Sequence, residues 1–124
     1  MNVSWLRWAG LCCCAAVCLA VTGCFDDDRI DHDPPRDQGS IVVDNRSSRD
    51  IDVFIDGAET SRVRARRWRA IDLEPGVYRV VLDERRGDRN YRDDVDVLAG
   101  RLSVMDVGLD PNRTDRFSVL VYFD

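Results

Sequence analysis

The sequence predicts an all-β fold: an antiparallel two-sheet sandwich of about seven strands, immunoglobulin-like or transthyretin-like in type. Three observations lead there. Short apolar runs recur from Gly39 to the end of the chain at roughly 8–14-residue spacing. Gly-, Pro- and Asp-containing turn signals stand between them. No stretch in this region repeats its apolar residues with the helical period.

The strands follow in order. Ser40 to Asp44 is an apolar run. Ile51 to Asp56 alternates, with Ile51, Val53 and Ile55 on one face, and Asp56-Gly57 marks a turn. Arg64 to Leu73 is predicted as the third strand. Glu74-Pro75-Gly76 sets Pro75 and Gly76 where a type II turn takes them. Val77 to Glu84 then places Tyr78, Val80 and Leu82 together, and Arg85 to Asn90 reads as a loop. Tyr91 to Leu98 alternates again, Ala99-Gly100 turns the chain, and Leu102 to Leu109 returns. Asp110-Pro111-Asn112 breaks that run, and the sequon at Asn112 reads as a polar turn. Phe117 to Phe123 is apolar on both faces, which predicts a central or covered strand. These 86 residues, without disulfides, are expected to hold a modest core, with stability near the low end of about 5–15 kcal/mol.

All five cysteines precede the sandwich, between Leu11 and Cys24. Cys12, Cys13 and Cys14 are contiguous, so they cannot converge on one tetrahedral metal ion, and no distant cysteine exists for a disulfide. Ala9 to Val21 is thirteen apolar or small residues behind Arg7, roughly 20 Å as a helix and short of a membrane span of about 20 residues. It reads as the apolar core of a signal peptide.

The segment ends in Val21-Thr22-Gly23-Cys24, which resembles a bacterial lipobox. That resemblance implies cleavage after Gly23, a diacylglyceryl thioether on Cys24, and loss of the other four cysteines with the signal. The alternatives are an uncleaved anchor or ordinary secretory cleavage. Three segments follow: a signal peptide over 1–23, a lipidated cysteine with an acidic, disordered tether over 24–38, and a β-sandwich domain over 39–124. Phe25, where an inner-membrane retention signal has Asp, favours the outer membrane over the inner.

The chain has 18 arginines and no lysine. Phe25 to Gln38 carries six acids and two arginines, whereas Gly39 to Asp124 carries seventeen acids and fifteen arginines. The negative excess therefore sits in the tether, whose composition and Pro34-Pro35 pair suit an extended spacer better than a cation loop.

Asp56-Gly57, Leu73, Pro75-Gly76, Tyr78, Val80, Leu82 and Ala99-Gly100 together resemble the PEGA domain of bacterial envelope and surface proteins. The likeness spans about Gly39 to Leu109. It departs at "NRSSRD", in place of the family's Pro-x-Gly-Ala element, and at "AETSRVRARRWRA", in place of a Gly-x-x-Pro loop. The resemblance implies a non-catalytic accessory or binding module.

Catalytic constellations are few. The only histidine after the lipobox is His32, in the tether, which excludes a Ser-His-Asp or Cys-His arrangement and a His-based zinc site within the domain. Seventeen acids make any carboxylate pair uninformative, and no Gly-rich phosphate loop is present. The expectation is a protein that is not an enzyme and uses no cofactor or metal.

The most distinctive stretch is Arg62, Arg64, Arg66, Arg67, Trp68 and Arg69. One reading is a cationic patch with an aromatic platform for an anionic glycan, a phosphorylated headgroup or an acidic protein face. The other is a structural face, neutralised by Asp93, Asp94 and Asp96 across strands, with a bulge at Arg66-Arg67 turning Trp68 inward. The expected partners are the membrane, through the anchor, and an envelope protein; a glycan bound by Trp68, Tyr91 and the arginines is the alternative. Nucleic acid is not expected for an acidic exported chain.

Overall fold

The computed structural model describes residues 30–124. The segments expected to be a signal peptide and lipobox, with Cys24, lie outside them. A compact unit runs from His32 to Asp124. It is all β: β1 (Gly39–Asn45), β2 (Ile51–Ile55), β3 (Ala58–Val63), β4 (Trp68–Leu73), β5 (Gly76–Glu84), β6 (Asn90–Val97), β7 (Leu102–Leu109) and β8 (Phe117–Phe123). No helix among the described residues is long and apolar enough to cross a membrane.

Two four-stranded sheets form, with orders β4-β1-β7-β8 and β3-β2-β5-β6. Strand order explains the composition. β1 and β7 are central, and Ile41, Val43, Met105 and Val107 point into the core between the sheets. Val42 and Val104 pair on the opposite face and are also fully buried, so Ile41-Val42-Val43 and Val104-Met105 are buried on both faces of their sheet. β2, β5 and β6 bury one face only and alternate: Ile51, Val53, Ile55, Val80, Leu82, Val95 and Val97 complete the core.

Eight strands form rather than about seven. The prediction merged the arginine-rich corner with β4 and missed β3, whose Ala58–Val63 sequence buries only Val63 and carries no apolar alternation. Asp56 (φ 50°) and Gly57 (φ 85°) close a two-residue turn with both residues left-handed, so β3 folds back on β2 as a hairpin. The bulge falls between Val53 and Phe54, not at Arg66-Arg67. One pair, β1 with β7, is parallel within the otherwise antiparallel arrangement.

The Pro75-Gly76 turn departs from the type II expectation. Gly76 lacks the positive φ that such a turn requires, because the chain passes here from one sheet to the other. The Tyr78 hydroxyl donates to the Glu74 carbonyl at 2.7 Å and fixes the corner in the manner of a tyrosine corner. Gly100 (φ 74°) does take the left-handed region at the Ala99-Gly100 turn, where Arg101 N–H donates to Leu98 O.

Strand β8 overturns the expectation of a central position. Among the described residues it is the edge of its sheet, paired only with β7. Its later half is exposed on both faces at Leu120, Val121, Tyr122 and Phe123, while Phe117 and Val119 pack on the core.

The last part of the expected tether is fastened to the sandwich. His32 Nε2 lies 2.7 Å from Asp72 Oδ1, and the Gln38 side chain donates to Glu74. Hydrogen bonds from Ser40 Oγ first, and from His32 second, hold the Asp72 carboxyl below its usual range. A carboxyl depressed by folding contributes stability above its unfolded pKa, and that contribution is lost as pH falls through the folded value. The stability that Ser40 and His32 contribute through Asp72 is thus expected to fade at acid pH, as pH falls below the ordinary aspartate range. Ser40→Ala should move the Asp72 titration upward in an NMR pH series, and an unmoved titration would refute this assignment.

Candidate functional site

The arginine-rich stretch forms the corner between β3 and β4. Arg66 holds φ 63°, a left-handed conformation unusual for a side chain with a Cβ. Backbone bonds hold it there: Arg66 N–H donates to Ser47 O, Arg67 N–H to Arg64 O, and Asn45 N–H to Arg67 O. Asn45 is fully buried and ties the corner to the β1–β2 loop. Its Nδ2 donates to the carbonyls of Arg49, Val63 and Arg64 at 2.7–3.2 Å, and its Oδ1 accepts from Ser47 N–H and Oγ.

The corner leaves its cations outward. Arg62 pairs with Asp52 at 3.1 Å. Arg64, Arg66, Arg67 and Arg69 are exposed and join no ion pair among the described residues. Asp93, Asp94 and Asp96 do not neutralise them. Those acids lie on β6, at the far edge from β3, and Asp94 instead holds Arg79 of β5.

Trp68 does not turn inward. It sits opposite Asp44 on the outer face of its sheet and remains 38% exposed. Ile71 and Leu73 take the inner face of β4, which fixes this parity. Tyr91 is not brought to the same place. It packs against the core from β6, and burial, aided by a bond to Asp93, pushes its hydroxyl up to about 12.

Arg66→Gly separates structural from functional cost at the corner. Glycine adopts the left-handed region freely, so this variant is expected to gain about 1 kcal/mol in chemical denaturation while removing one cation. A loss of stability would show that the Arg66 side chain itself holds the corner.

The second exposed feature is β8. Leu102 and Asp124 exchange both backbone bonds, so Tyr122, Leu120 and Ser118 also face β7 with their N–H and C=O groups. The backbone groups of Val119, Val121 and Phe123 point to the open edge. Tyr122, on the outer face, has its hydroxyl raised by burial first and by Asp106 and Asp44 next.

Two polar features escaped the sequence reading. Glu84 is 6% exposed and points inward at the end of β5. Arg49 and Arg89 each approach its carboxylate at 3.4 Å, and Arg89 N–H also donates to it. A depression of about 290 Å³ lined by Ser48, Arg49, Asp50, Glu84, Arg85 and Arg86 opens beside it. Both Glu84 and Asn45 were legible by parity, since each continues a strand's inward set: Tyr78, Val80, Leu82, then Glu84; Ile41, Val43, then Asn45. No group of three or more metal-ligating side chains occurs among the described residues.

No family model matches the chain, and no curated protein matches it. Among solved structures, the N-terminal domain of AlgF from P. aeruginosa is similar at a TM-score of 0.45 and 14% identity, over 70% of this chain and 95% of that one.

Proposed function

We propose that the chain is a lipid-anchored cell-envelope protein whose β-sandwich is a non-catalytic protein-interaction or scaffolding module. The observation that carries this reading is the uncovered apolar stretch Leu120–Phe123 on an open sheet edge. Soluble proteins normally blunt such an edge with charge, proline or a covering element; β8 carries no charge and no proline, and among the described residues no element pairs with the outer side of Leu120–Phe123. Val21-Thr22-Gly23-Cys24 supports the anchor. Two or three acyl chains, at about 0.8 kcal/mol per buried CH2, hold a domain at a membrane where a single chain does not.

The test is cross-linking in intact cells, with Cys24→Ala as the unanchored control. A discrete protein adduct, lost in the control, is the expected result. The absence of any adduct, with the domain pelleting on purified cell wall in a salt-sensitive way, would overturn it in favour of a second reading. That reading is an anionic-ligand or glycan module. The exposure of Trp68 on a corner that also exposes four arginines without ion pairs among the described residues favours it.

A further inference from the structure

We propose that β8 is a self-association edge: two copies of the chain pair their β8 strands antiparallel, joining the two β4-β1-β7-β8 sheets into one eight-stranded sheet. This names the occupant of the edge invoked above, and it rests on the protein-interaction reading.

The four edge strands of the described residues differ sharply in charge. β3 carries Glu59 and Arg62, β4 carries Arg69 and Asp72, and β6 carries Arg92, Asp93, Asp94 and Asp96. β8, Phe117–Phe123, has no charged residue, no glycine and no proline. Charge and proline are the usual guards against edge pairing, and β8 alone among the four lacks both.

The geometry selects a register. At the start of β8 the edge is closed, because Asn90 of β6 donates to Asp115 O and bridges to Arg116. The open portion is Val119 to Phe123, where the backbone groups of Val119, Val121 and Phe123 await partners. A two-fold axis at Val121 satisfies all three at once: Val121 meets Val121 of the second copy, and Val119 meets Phe123. On the outer face Leu120 then lies against Tyr122, covering two of the exposed side chains.

Charge agrees with a like partner. Asp124 falls opposite Ser118, so no like charges face each other along the seam. The domain from Gly39 carries seventeen acids and fifteen arginines, so two copies repel only weakly. A basic or acidic peptide would find no complementary side chain on this strand, whereas an uncharged strand of alternating apolar residues fits it.

A cysteine at the axis tests this. Cα atoms of a hydrogen-bonded antiparallel pair lie about 5.5 Å apart, inside the roughly 4.4–6.8 Å span of a disulfide. Full-length Val121→Cys, expressed in membranes and mildly oxidised, is expected to give a disulfide-linked homodimer at least tenfold above both the parent chain and Leu120→Cys. Leu120 is off the axis, and the parent controls for the native cysteines. Val121→Pro should abolish the association of the uncross-linked protein, as read by a loss of proximity signal between differently labelled copies. Its N–H faces away from β7, so no ladder bond within the fold is lost, and near-UV circular dichroism checks that the fold is kept.

A folded Val121→Cys chain that gives no homodimer overturns the second-copy proposal. If it cross-links instead to one other protein, the interaction reading survives with a different occupant. If it forms no disulfide at all, the second-copy proposal falls and the interaction reading is decided by the in-cell cross-linking test above, since a disulfide to another protein needs a thiol on that protein.

Discussion

Gly39→Ala is expected to destabilise the domain by about 3 kcal/mol, at the upper end of overpacking costs. A Cβ at residue 39 would stand 2.2 Å from the Leu98 carbonyl oxygen, 2.8 Å from Val97 Cγ1 and 3.0 Å from Leu98 C. Two of those atoms are backbone and cannot swing aside. Gly39 is buried at the start of β1, where Gly100 N–H donates to Gln38 O and the β6–β7 turn presses on the strand. Relief requires moving either β1 or that turn, and each carries core residues. Thermal melting of a domain this size should shift downward by about 10–20 °C. Gly108→Ala is the internal control. No atom lies within 4 Å of its Cβ position, and its φ is not left-handed, so it should melt within a few degrees of the parent. Equal melting of the Gly39 and Gly108 variants would contradict this account of the β1 start.

Asn45→Ala is expected to cost a similar amount, about 3 kcal/mol, through lost hydrogen bonds rather than steric conflict. The substitution removes the side-chain donor to the Arg49, Val63 and Arg64 carbonyls and the acceptor for Ser47. These groups sit where water reaches poorly, and a buried polar group left without a partner costs about 1–3 kcal/mol. Arg49 O keeps a bond from Ser47 Oγ, which caps the loss. The same change should loosen the Arg64–Arg67 corner, because Val63 O and Arg64 O are anchored there. Two readouts follow. Denaturant midpoints should fall, and amide exchange should quicken first at Arg66 and Arg67. A variant with unchanged exchange at the corner would show that the bonds to Ser47 O and Arg64 O suffice without Asn45.

These two positions bear differently on function. The Gly39 contact supports the sandwich as a whole. Asn45 supports the particular corner that displays the arginines, so a weak Asn45 variant offers a way to disturb the cationic surface without removing a charge. The Val121 variants disturb the opposite edge strand of the same sheet. Comparing the three in one binding or cross-linking experiment separates loss of fold, loss of the cationic corner and loss of the apolar edge.

The sequence by itself determined the all-β class, the boundaries of most strands and the turns at Asp56-Gly57 and Ala99-Gly100, because these rest on local alternation and local φ preference. β2, β5 and β6 are legible from period-two patterns that reflect burial on one face. Where a strand buries almost nothing, as β3 does, that signal is absent and the strand was missed.

Only the tertiary structure decided strand order, and strand order reverses two readings. An apolar strand is compatible with the centre of a sheet or with an unguarded edge; β1 and β8 look alike in sequence and occupy those two positions. The Asp residues expected to neutralise the arginine cluster are close to no part of it, because β6 and β3 lie at opposite edges of one sheet. Trp68 faces outward for the same kind of reason. The chain crosses between sheets at the Arg66 turn, and the parity of β4 is then set by the burial of Ile71 and Leu73. Local sequence carries which residues alternate; which strand lies beside which depends on contacts between residues far apart in the chain, and among the described residues that pairing leaves one apolar strand with a neighbour on one side only.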